Sequence, residues 1–505
     1  MLSYTPLLHV IVIAVVLENC CELVEASDAF YPRSADVVLV TDDGKECLGV
    51  TLTLPLVATG VSNDRVHVRS RDLVGWCDKK QLIDVSRAVD YFTEEIRRDN
   101  RSRWALNCRA SAYLELDDAP HAIRDFESLV SLSPSASTEA ARLAAIHLAN
   151  EDPQSALQVL DLALKRSLDD PLIRSTRALT IARLGNLSEG IDECTAAIHR
   201  WPEDGRLFFI RGRILQERGD NRGAIIDLHR SIKRDPRNPN PYAASASASI
   251  LLGEIDEAIT DCDSAIKHGA QRPQFYALRA GYLHLAGRGE DAILDHNTAL
   301  RLDPREKHYY VGRGFALLAI RRHELARADF SAALELDDSL AIGWYGRGRA
   351  ETEMKDLSCG IEDLTRALSF VDQKARRHED RLREMRRAAE DGSVSFFTVE
   401  HSTTLASCLR ERALAYSLAG DKVAAMKDIK QALKLVHGDP RALMIEGDIL
   451  HQSQFYPLAI ISYSTAIDLE PRDPQLYEKR AASWFAAKEI EKGNQDIEAA
   501  KAFRK

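Results

Sequence analysis

A repeat of 34 residues is the feature that most constrains how this chain can fold. With position 1 of the repeat at Arg103, eight units follow one another without an insertion, and three more follow a break. A unit this short cannot bury an apolar face by itself, so its copies have to stack on one another. The sequence therefore predicts a linear array of eleven units. They begin at Arg103, Ser137, Pro171, Gly205, Pro239, Pro273, Lys307, Ala341, Ala406, Pro440 and Pro474.

Two positions of the repeat carry only very small residues. Positions 8 and 20 are glycine or alanine in all eleven units. Two antiparallel helices can approach closely only where a side chain is this small, so each unit is predicted to be a helical hairpin closed at these positions. Position 8 is occupied by Ala110, Ala144, Ala178, Gly212, Ala246, Ala280, Gly314, Gly348, Ala413, Gly447 and Ala481, and position 20 by Ala122, Ala156, Gly190, Ala224, Ala258, Ala292, Ala326, Gly360, Ala425, Ala459 and Gly493.

Opposite charges recur at positions 7 and 23 of the repeat. Two units lose both partners together, as Leu143 with Val159 and as Glu446 with Ser462, and Asp261 alone is kept without an arginine. Joint loss favours an ion pair that crosses each hairpin and is partly buried, whereas two solvated side chains could be lost independently. The pairs are Arg109/Asp125, Arg177/Glu193, Arg211/Asp227, Arg279/Asp295, Arg313/Asp329, Arg347/Asp363, Arg412/Asp428 and Arg480/Asp496.

A large ring at position 4 and a proline at position 32 complete the pattern. The proline would end the second helix of a hairpin. A large ring, small contact residues and a terminal proline at this spacing resemble the tetratricopeptide repeat family. The resemblance implies a mostly α-helical, right-handed solenoid of about eleven hairpins, in which the first helices line a concave face. The rings are Phe208, Tyr242, Tyr276, Tyr310, Trp344 and Tyr477, and the prolines are Pro134, Pro202, Pro236, Pro304 and Pro471.

Residues 1–26 are interpreted as a signal peptide. The apolar run 7–17 is too short to span a bilayer, and Val24 and Ala26 are small residues at the two positions that a signal peptidase reads. No basic residue precedes the run, so a retained membrane anchor is the alternative. We therefore expect an extracytoplasmic protein, either periplasmic or secreted, with a membrane as a partner only if this segment is retained.

A small all-β domain is predicted over residues 35–85, after a linker over residues 27–34. Its strands are short, rich in valine and separated by turn residues. The strand segments are 35–40, 50–54 and 65–69.

The end of this region carries a second resemblance. Val74, Gly75 and Trp76, followed by Leu82, resemble the last part of bacterial SH3-like barrels, and some other small β-unit is the alternative. The resemblance implies an SH3-like fold for residues 35–85. Cys47 and Cys77 both lie in this domain, where a disulfide and two separate core thiols are both compatible with an oxidising compartment.

Two further segments adjoin the repeats. Residues 86–102 are predicted to form a capping helix with a polar end, so that repeats 1–8 occupy residues 103–374 and repeats 9–11 occupy residues 406–505. The insertion over residues 375–405 is dense in basic side chains on a helical pattern, which predicts a solvated helix extension or else a docking site for an acidic partner. Within it, Ser393–Thr398 is predicted to be a short extended segment.

The sequence contains no phosphate-binding loop, zinc motif or nucleophile elbow. Gly312 and Gly314 look like part of a nucleotide fingerprint, but they fall inside a first helix at its packing position. Cys194 and Cys262 share position 24, which is a core position, and His296 at the same position is interpreted as a core histidine with satisfied hydrogen bonds. We therefore expect no cofactor, no metal and no enzymatic activity.

The favoured function is a non-catalytic scaffold that holds a peptide or a helix of a client protein in the concave groove. A net charge of −10 gives no positive field to attract nucleic acid. The alternative is an accessory protein of envelope assembly or secretion, whose β-domain attaches to wall or membrane components. Groove residues are expected on the first helices at Arg206, Phe209, Arg213, Gln216, Tyr345, Arg349, Arg441 and His451.

Overall fold

The computed structural model describes most of the chain and divides it into two compact units between Glu254 and Ile255. The predicted signal peptide, strand segment 50–54 and the insertion up to residue 395 lie outside the described residues. The described ranges are 29–33, 39–40, 46–47, 56–62, 64–70, 73–132, 137–166, 169–269, 272–371 and 396–504.

Short strands at the start of the first unit form one antiparallel sheet. They are β1 (Ala29–Pro32), β2 (Leu39–Val40), β3 (Glu46–Cys47), β4 (Leu56–Ser62), β5 (Arg65–Ser70), β6 (Leu73–Asp78) and β7 (Leu82–Asp84). Their order across the sheet is β3-β2-β6-β5-β4-β1-β7, and a short 3-10 turn at Lys79–Gln81 precedes β7. The stretch expected to be a linker supplies β1, because its aromatic residues fit a half-buried strand. Cys77 is a buried free thiol.

The capping helix runs over Val85–Arg98 and joins the sheet to the first repeat. The side chain of Asp84 caps it by accepting a hydrogen bond from the backbone N–H of Arg87. The Phe92 ring lies edge-on to Tyr31 at 6.0 Å between centroids and to Trp104 at 5.3 Å. Both contacts belong to one apolar cluster, so the sheet, the capping helix and repeat 1 share a core.

The remaining helices of the first unit alternate as the first and second helices of repeats. Asp170, just before Pro171, accepts a hydrogen bond from a free N–H of its helix, and proline at the first helical position has no N–H to satisfy. The helices are Arg103–Glu115 and Ala119–Leu132, Ser137–Ala149 and Pro153–Lys165, Pro171–Arg183 and Leu187–Arg200, Gly205–Glu217 and Asn221–Arg234, and then Pro239–Leu251, the first helix of repeat 5.

The second unit continues the same alternation. It opens with the second helix of repeat 5 and continues with repeats 6 to 11. Ten of the eleven predicted repeat starts coincide with the first residue of a helix in the described residues, which confirms the register. The helices are Ile255–His268, Pro273–Leu285 and Gly289–Leu302, Lys307–Ala319 and His323–Leu336, Ala341–Glu353 and 357–371, Phe396–Ala419 and Lys422–Leu435, Pro440–Gln452 and Tyr456–Leu469, Pro474–Ala486 and Ile490–Phe503.

Repeat 9 is the exception to the register. Its first helix begins at Phe396 rather than at Ala406, so the prediction of an extended segment over Ser393–Thr398 is wrong for its last three residues. The β-branched residues of this stretch favour strands only weakly, and no proline or glycine after residue 393 stops the helix from extending backwards.

The small residues at positions 8 and 20 face each other inside the hairpins of repeats 3, 4 and 8, as predicted. All of them are buried in the described residues. A Cβ atom on Gly348 would come within 3.0 Å of the backbone oxygen of Gly360, and one on Gly360 within 3.1 Å of that of Gly348. The two backbones therefore approach as closely as the sequence pattern required.

The turn between the two helices of each repeat has a fixed geometry that the sequence analysis missed. Position 15 has a positive φ in every unit, at glycine in five units and at a non-glycine residue in six. Its left-handed conformation ends the first helix. The glycines are Gly185, Gly219, Gly253, Gly287 and Gly420, and the other residues are Asp117, Glu151, Arg321, Lys355, Gln454 and Lys488.

Among the described helices, none has the length and apolar character needed to cross a bilayer.

Candidate functional site

All eight predicted ion pairs between positions 7 and 23 are present. In seven of them the arginine Nε and Nη2 donate to the two oxygens of one aspartate, at 2.6–3.1 Å. Arg177 makes a single bond of 3.0 Å to Glu193. The seven aspartates are only 2–7% exposed, so the interpretation as partly buried pairs is confirmed.

The same arginines also bond to the preceding helical layer. In most units Nη1 donates to a side-chain oxygen 16 residues earlier, at position 25 of the preceding repeat, as from Arg279 to Asp263 at 2.7 Å. In repeat 1 the acceptor is Thr93 of the capping helix, at 3.1 Å. Each arginine therefore closes its own hairpin and joins it to its neighbour. In repeat 3 the donor is instead Nε of Arg177, which bonds to Asp161. The other acceptors of Nη1 are Thr195, Asn297, Ser331, Ser464 and, across 47 residues, Thr365.

The units without the arginine show what replaces it. Leu143 and Val159 pack in one apolar cluster, and Ser462 donates a hydrogen bond of 2.9 Å to Glu446. Ahead of the three units that lack the arginine, position 25 is not a small acceptor but Glu127, His229 or Lys430. The hydrogen bond between layers and the ion pair within the hairpin are therefore lost together.

Four of the predicted groove residues lie on the first helix of repeat 4. Arg206, Phe209, Arg213 and Gln216 are spaced by three, four and three residues, which places them along one stripe of the helix. Arg206 is exposed and bonds to Asp204 at 2.7 Å, whereas Phe209 and Gln216 are half-buried. Arg213 is buried and belongs to the contact between helices rather than to an open surface.

Three others meet in one buried ionic cluster of repeats 8 to 10. Arg349 and Arg441 both point at Glu411, with N–O distances of 3.7 and 3.4 Å. Arg349 also lies over the ring of Tyr345 at 5.7 Å. Arg410 completes the cluster, at 3.4 Å from Glu411 and 2.6 Å from Asp439.

The cluster is a contact between repeats rather than an open pocket. The side chains of Arg349, Arg410 and Glu411 are 9%, 10% and 5% exposed. Burial alone would raise the pKa of Glu411, but Arg441, Arg349 and Arg410 lower it to about 2. The sequence analysis missed Arg410, Glu411 and Asp439, although Arg410 stands at position 5, one of the groove positions.

His451, the last predicted groove residue, also joins two repeats. Its Nδ1 lies 2.8 Å from the hydroxyl of Ser483 in repeat 11, and its ring lies edge-on to Tyr456. Of the eight predicted groove residues, Arg206 is exposed and the others are half-buried or buried. The half-buried ones are Phe209, Gln216, Arg441 and His451, and the buried ones are Arg213, Tyr345 and Arg349.

The residues considered for chemistry are core residues. Cys194 is buried, which raises the pKa of its thiol to about 12, and burial likewise raises the pKa of Cys262. His296 is buried with its pKa lowered to about 3, but its Nδ1 has no hydrogen-bond partner among the described residues, so the expectation of a satisfied histidine is wrong. A Cβ on Gly312 would overlap the His296 ring, and one on Gly314 would come within 2.8 Å of Phe330.

These two glycines are therefore packing contacts and not part of a nucleotide site. Within the described residues no group of three or more His, Cys, Asp or Glu side chains could hold a metal ion.

Together, the helix pairs, the 34-residue period and the facing small residues define a helical-repeat solenoid of the tetratricopeptide type, preceded by a small β-sheet. No protein-family model matches the sequence. Protein FlbA of Caulobacter vibrioides is 26% identical over 178 residues, which cover 35% of this chain and only 30% of that protein.

Several solved structures are similar to this chain at low sequence identity. The APC/C hetero-tetramer Cut9–Hcn1 has a TM-score of 0.45 at 13% identity over 79% of this chain and 87% of that one. A tetratricopeptide repeat protein from Parabacteroides merdae has a TM-score of 0.43 at 18% identity over 55% of this chain and 98% of that one. The type IV pilus biogenesis factor PilW has a TM-score of 0.37 at 14% identity over 46% and 92%. The fold assignment accordingly rests on the helices and packing of this chain itself.

Proposed function

We propose that this protein is a non-catalytic scaffold that holds a peptide or a helix of a client protein against its first helices. The observation that carries the proposal is the stripe on Gly205–Glu217, where Phe209 lies half-buried between exposed Arg206 and half-buried Gln216. An aromatic side chain between polar ones is the usual composition of an interaction hot spot.

The stripe has the right chemistry for a protein partner. Covering the part of the Phe209 ring that remains in water contributes on the order of 1 kcal/mol, and a client carboxylate could compete with Asp204 for the guanidinium of Arg206. The arginines at position 7 are unavailable for this purpose, because each already bonds within its hairpin and to the preceding helical layer.

Photo-crosslinking tests the proposal directly. A photoreactive phenylalanine analogue replaces Phe209 in one full-length variant and Ile226 in a control variant. Ile226 is 55% exposed but belongs to a second helix. We expect a defined client segment to crosslink at residue 209 and not at residue 226, and a synthetic copy of that segment to bind the wild type at least about tenfold more tightly than Phe209→Ala. Equal crosslinking at both positions would contradict the proposal.

We also propose that the protein is exported and that residues 35–85 form an SH3-like domain. The short 3-10 turn before β7 and the antiparallel pairing of β5 with β6 support the SH3-like reading of residues 35–85. The alternative is an accessory protein of envelope assembly or secretion, whose β-domain attaches to wall or membrane components. The core shared by Tyr31, Phe92 and Trp104 supports it, because this core would hold a ligand bound to the sheet at a constant distance from repeat 1.

Cell fractionation and mass spectrometry test whether the protein is exported. The protein is produced in a Gram-negative host, the periplasm is separated, and the intact mass is determined. We expect a periplasmic chain that lacks residues 1–26. A full-length mass recovered only from the cytoplasm would refute export and would leave the scaffold proposal standing.

A further inference from the structure

Repeats 8 and 9 are far apart in sequence but stack like consecutive repeats. The second helix of repeat 8 is described up to residue 371, and the next described helix begins at Phe396. Arg412 nevertheless donates a hydrogen bond of 3.1 Å to Thr365, which lies 47 residues earlier. Where the other repeats have this bond it spans 16 residues, as between Arg347 and Ser331. Repeat 9 therefore stacks on repeat 8 in the ordinary register.

The ionic cluster described above ties the two sides of this junction together. Arg349 belongs to repeat 8, whereas Arg410 and Glu411 belong to repeat 9. Arg441 of repeat 10 approaches the same carboxylate. The guanidinium of Arg349 and the carboxylate of Glu411 are almost completely buried, so separating the repeats would break a buried ion pair, while Glu411 would keep Arg410 and Arg441.

Apolar residues are buried on both sides of the junction as well. Leu364, Leu368 and Val371 are 0–7% exposed on the second helix of repeat 8. Ala406 and Leu409 are 2% and 3% exposed on the first helix of repeat 9. The junction thus has a buried ion pair and the hydrogen bond between layers, and the helices on its two sides have buried apolar side chains.

We propose that the junction between repeats 8 and 9 is a self-sufficient interface, through which residues 396–504 bind the preceding repeats without needing the peptide connection. The partner of this surface is the C-terminal part of the same chain. It follows that cleavage or lengthening of the connection leaves the array intact. The proposal does not depend on the identity or existence of a client.

Cutting the connection tests it. The recognition sequence of a site-specific protease is inserted after residue 384 of the full-length protein, and the chain is cleaved under native conditions. We expect the two fragments to elute together in size-exclusion chromatography, at the volume of the uncut protein, at micromolar concentration. Separate elution of the C-terminal fragment would overturn the proposal.

Variants identify what holds the fragments. In the cleaved protein, Glu411→Ala should raise the dissociation constant of the fragments at least about tenfold, because Arg349 loses its carboxylate partner across the junction and then meets the uncompensated charges of Arg410 and Arg441. Glu446→Ala is the matched control, since Glu446 bonds within its own hairpin, one repeat away. An unchanged dissociation constant for Glu411→Ala would refute the role of the cluster.

Glu411→Ala could also prevent folding, so a milder variant accompanies it. Thr365→Val removes only the acceptor of the Arg412 bond and keeps the size of the side chain. It should weaken the association of the cleaved fragments several-fold while the circular dichroism of the uncut protein stays unchanged. If Thr365→Val and Glu446→Ala have equal effects, the bond between layers does not hold the junction.

Discussion

The arginine at position 7 donates hydrogen bonds both within its own hairpin and to the preceding helix. In repeat 6, Nε and Nη2 of Arg279 bond to Asp295 inside the hairpin at 2.7 Å, and Nη1 bonds to Asp263 of the preceding helix at the same distance. The hydrogen bond with Asp295 raises the pKa of Arg279 further, so the guanidinium stays charged at any pH in which the protein folds. The carboxylate of Asp295 is shielded from water, so this ion pair contributes more to stability than an ion pair on the surface does.

A double-mutant cycle measures this pair. We expect Arg279→Ala and Asp295→Ala each to lower the free energy of unfolding by about 2–3 kcal/mol, and the double variant by little more than one of them. Denaturant titration provides the values. The control cycle on Arg288 and Asp291, an exposed pair at 2.8 Å, should show a coupling below about 0.5 kcal/mol. Additive losses at Arg279 and Asp295 would show that they do not act as a pair.

Glu351 adds a pH dependence to repeat 8. It follows Arg347 by one helical turn, and burial and nearby Asp363 raise its pKa to about 7, against the opposing effect of Arg347. The unfolded chain ionises this group near its ordinary value of 4.5. The folded protein thus keeps a proton that the unfolded chain loses, and stability must fall as the pH rises from about 4.5 to about 7.

Glu351→Gln removes this effect. Its melting temperature relative to that of the wild type should rise as the pH increases from about 4.5 to about 7 and then level off, since glutamine never ionises. The control is Glu353→Gln, which removes a carboxyl group from the exposed side of the same helix. A pH-independent difference for Glu351→Gln would mean that the carboxyl group is not held protonated.

At the scale of single residues, the ion pairs could be predicted from the sequence, because two units of the repeat lack both the arginine and the acidic residue. It could not predict the bond between layers, since position 25 varies among Thr, Asp, Asn and Ser, which share an acceptor oxygen but not a residue type. The ionic cluster around Glu411 could not be predicted from the sequence either. Only the stacking of three repeats brings Arg349, Glu411 and Arg441 together.

Each hairpin depends on one residue in the left-handed region. In repeat 8 that residue is the exposed Lys355, with φ at 69°. A side chain costs about 1–2 kcal/mol in this conformation, and glycine avoids the cost at the price of a more flexible unfolded chain. The sequence pattern hid this position, because only five of the eleven units carry glycine there.

Lys355→Gly should therefore raise the free energy of unfolding by about 0.5–1 kcal/mol. The reverse change, Gly287→Lys, should lower it by a similar amount, because Gly287 has a φ of 77° and nothing lies within 4 Å of its added Cβ. Urea denaturation of both variants against the wild type gives the two values. A loss of stability for Lys355→Gly would show that the lysine side chain makes a contact that outweighs the backbone strain.

Helices and strands could be predicted from the sequence where they recur at a fixed period. The helices repeat every 34 residues, so their starts could be read directly from the sequence. The small sheet has no such repetition, and strand β1 was missed because three or four residues are too few to show an alternating pattern. The early start of the helix at Phe396 was missed for a related reason, since it extends beyond the repeating unit.

At the scale of the whole molecule, the repeats provide many similar first helices but differ in what these present. The stripe on repeat 4 keeps an aromatic side chain partly open, whereas the equivalent residues of repeat 8, Tyr345 and Arg349, are buried in the ionic cluster. Residue type at the groove positions could be predicted from the sequence, but their exposure could not, because it depends on the neighbouring repeat.

Hydrogen–deuterium exchange with the captured client segment tests most directly whether the first helices hold another polypeptide. The full-length protein is compared with and without a saturating amount of that segment. The proposed function predicts slower exchange in first helices, with the largest change at Gly205–Glu217, and no change in the neighbouring second helix Asn221–Arg234. Protection confined to second helices or to the β-sheet would contradict it.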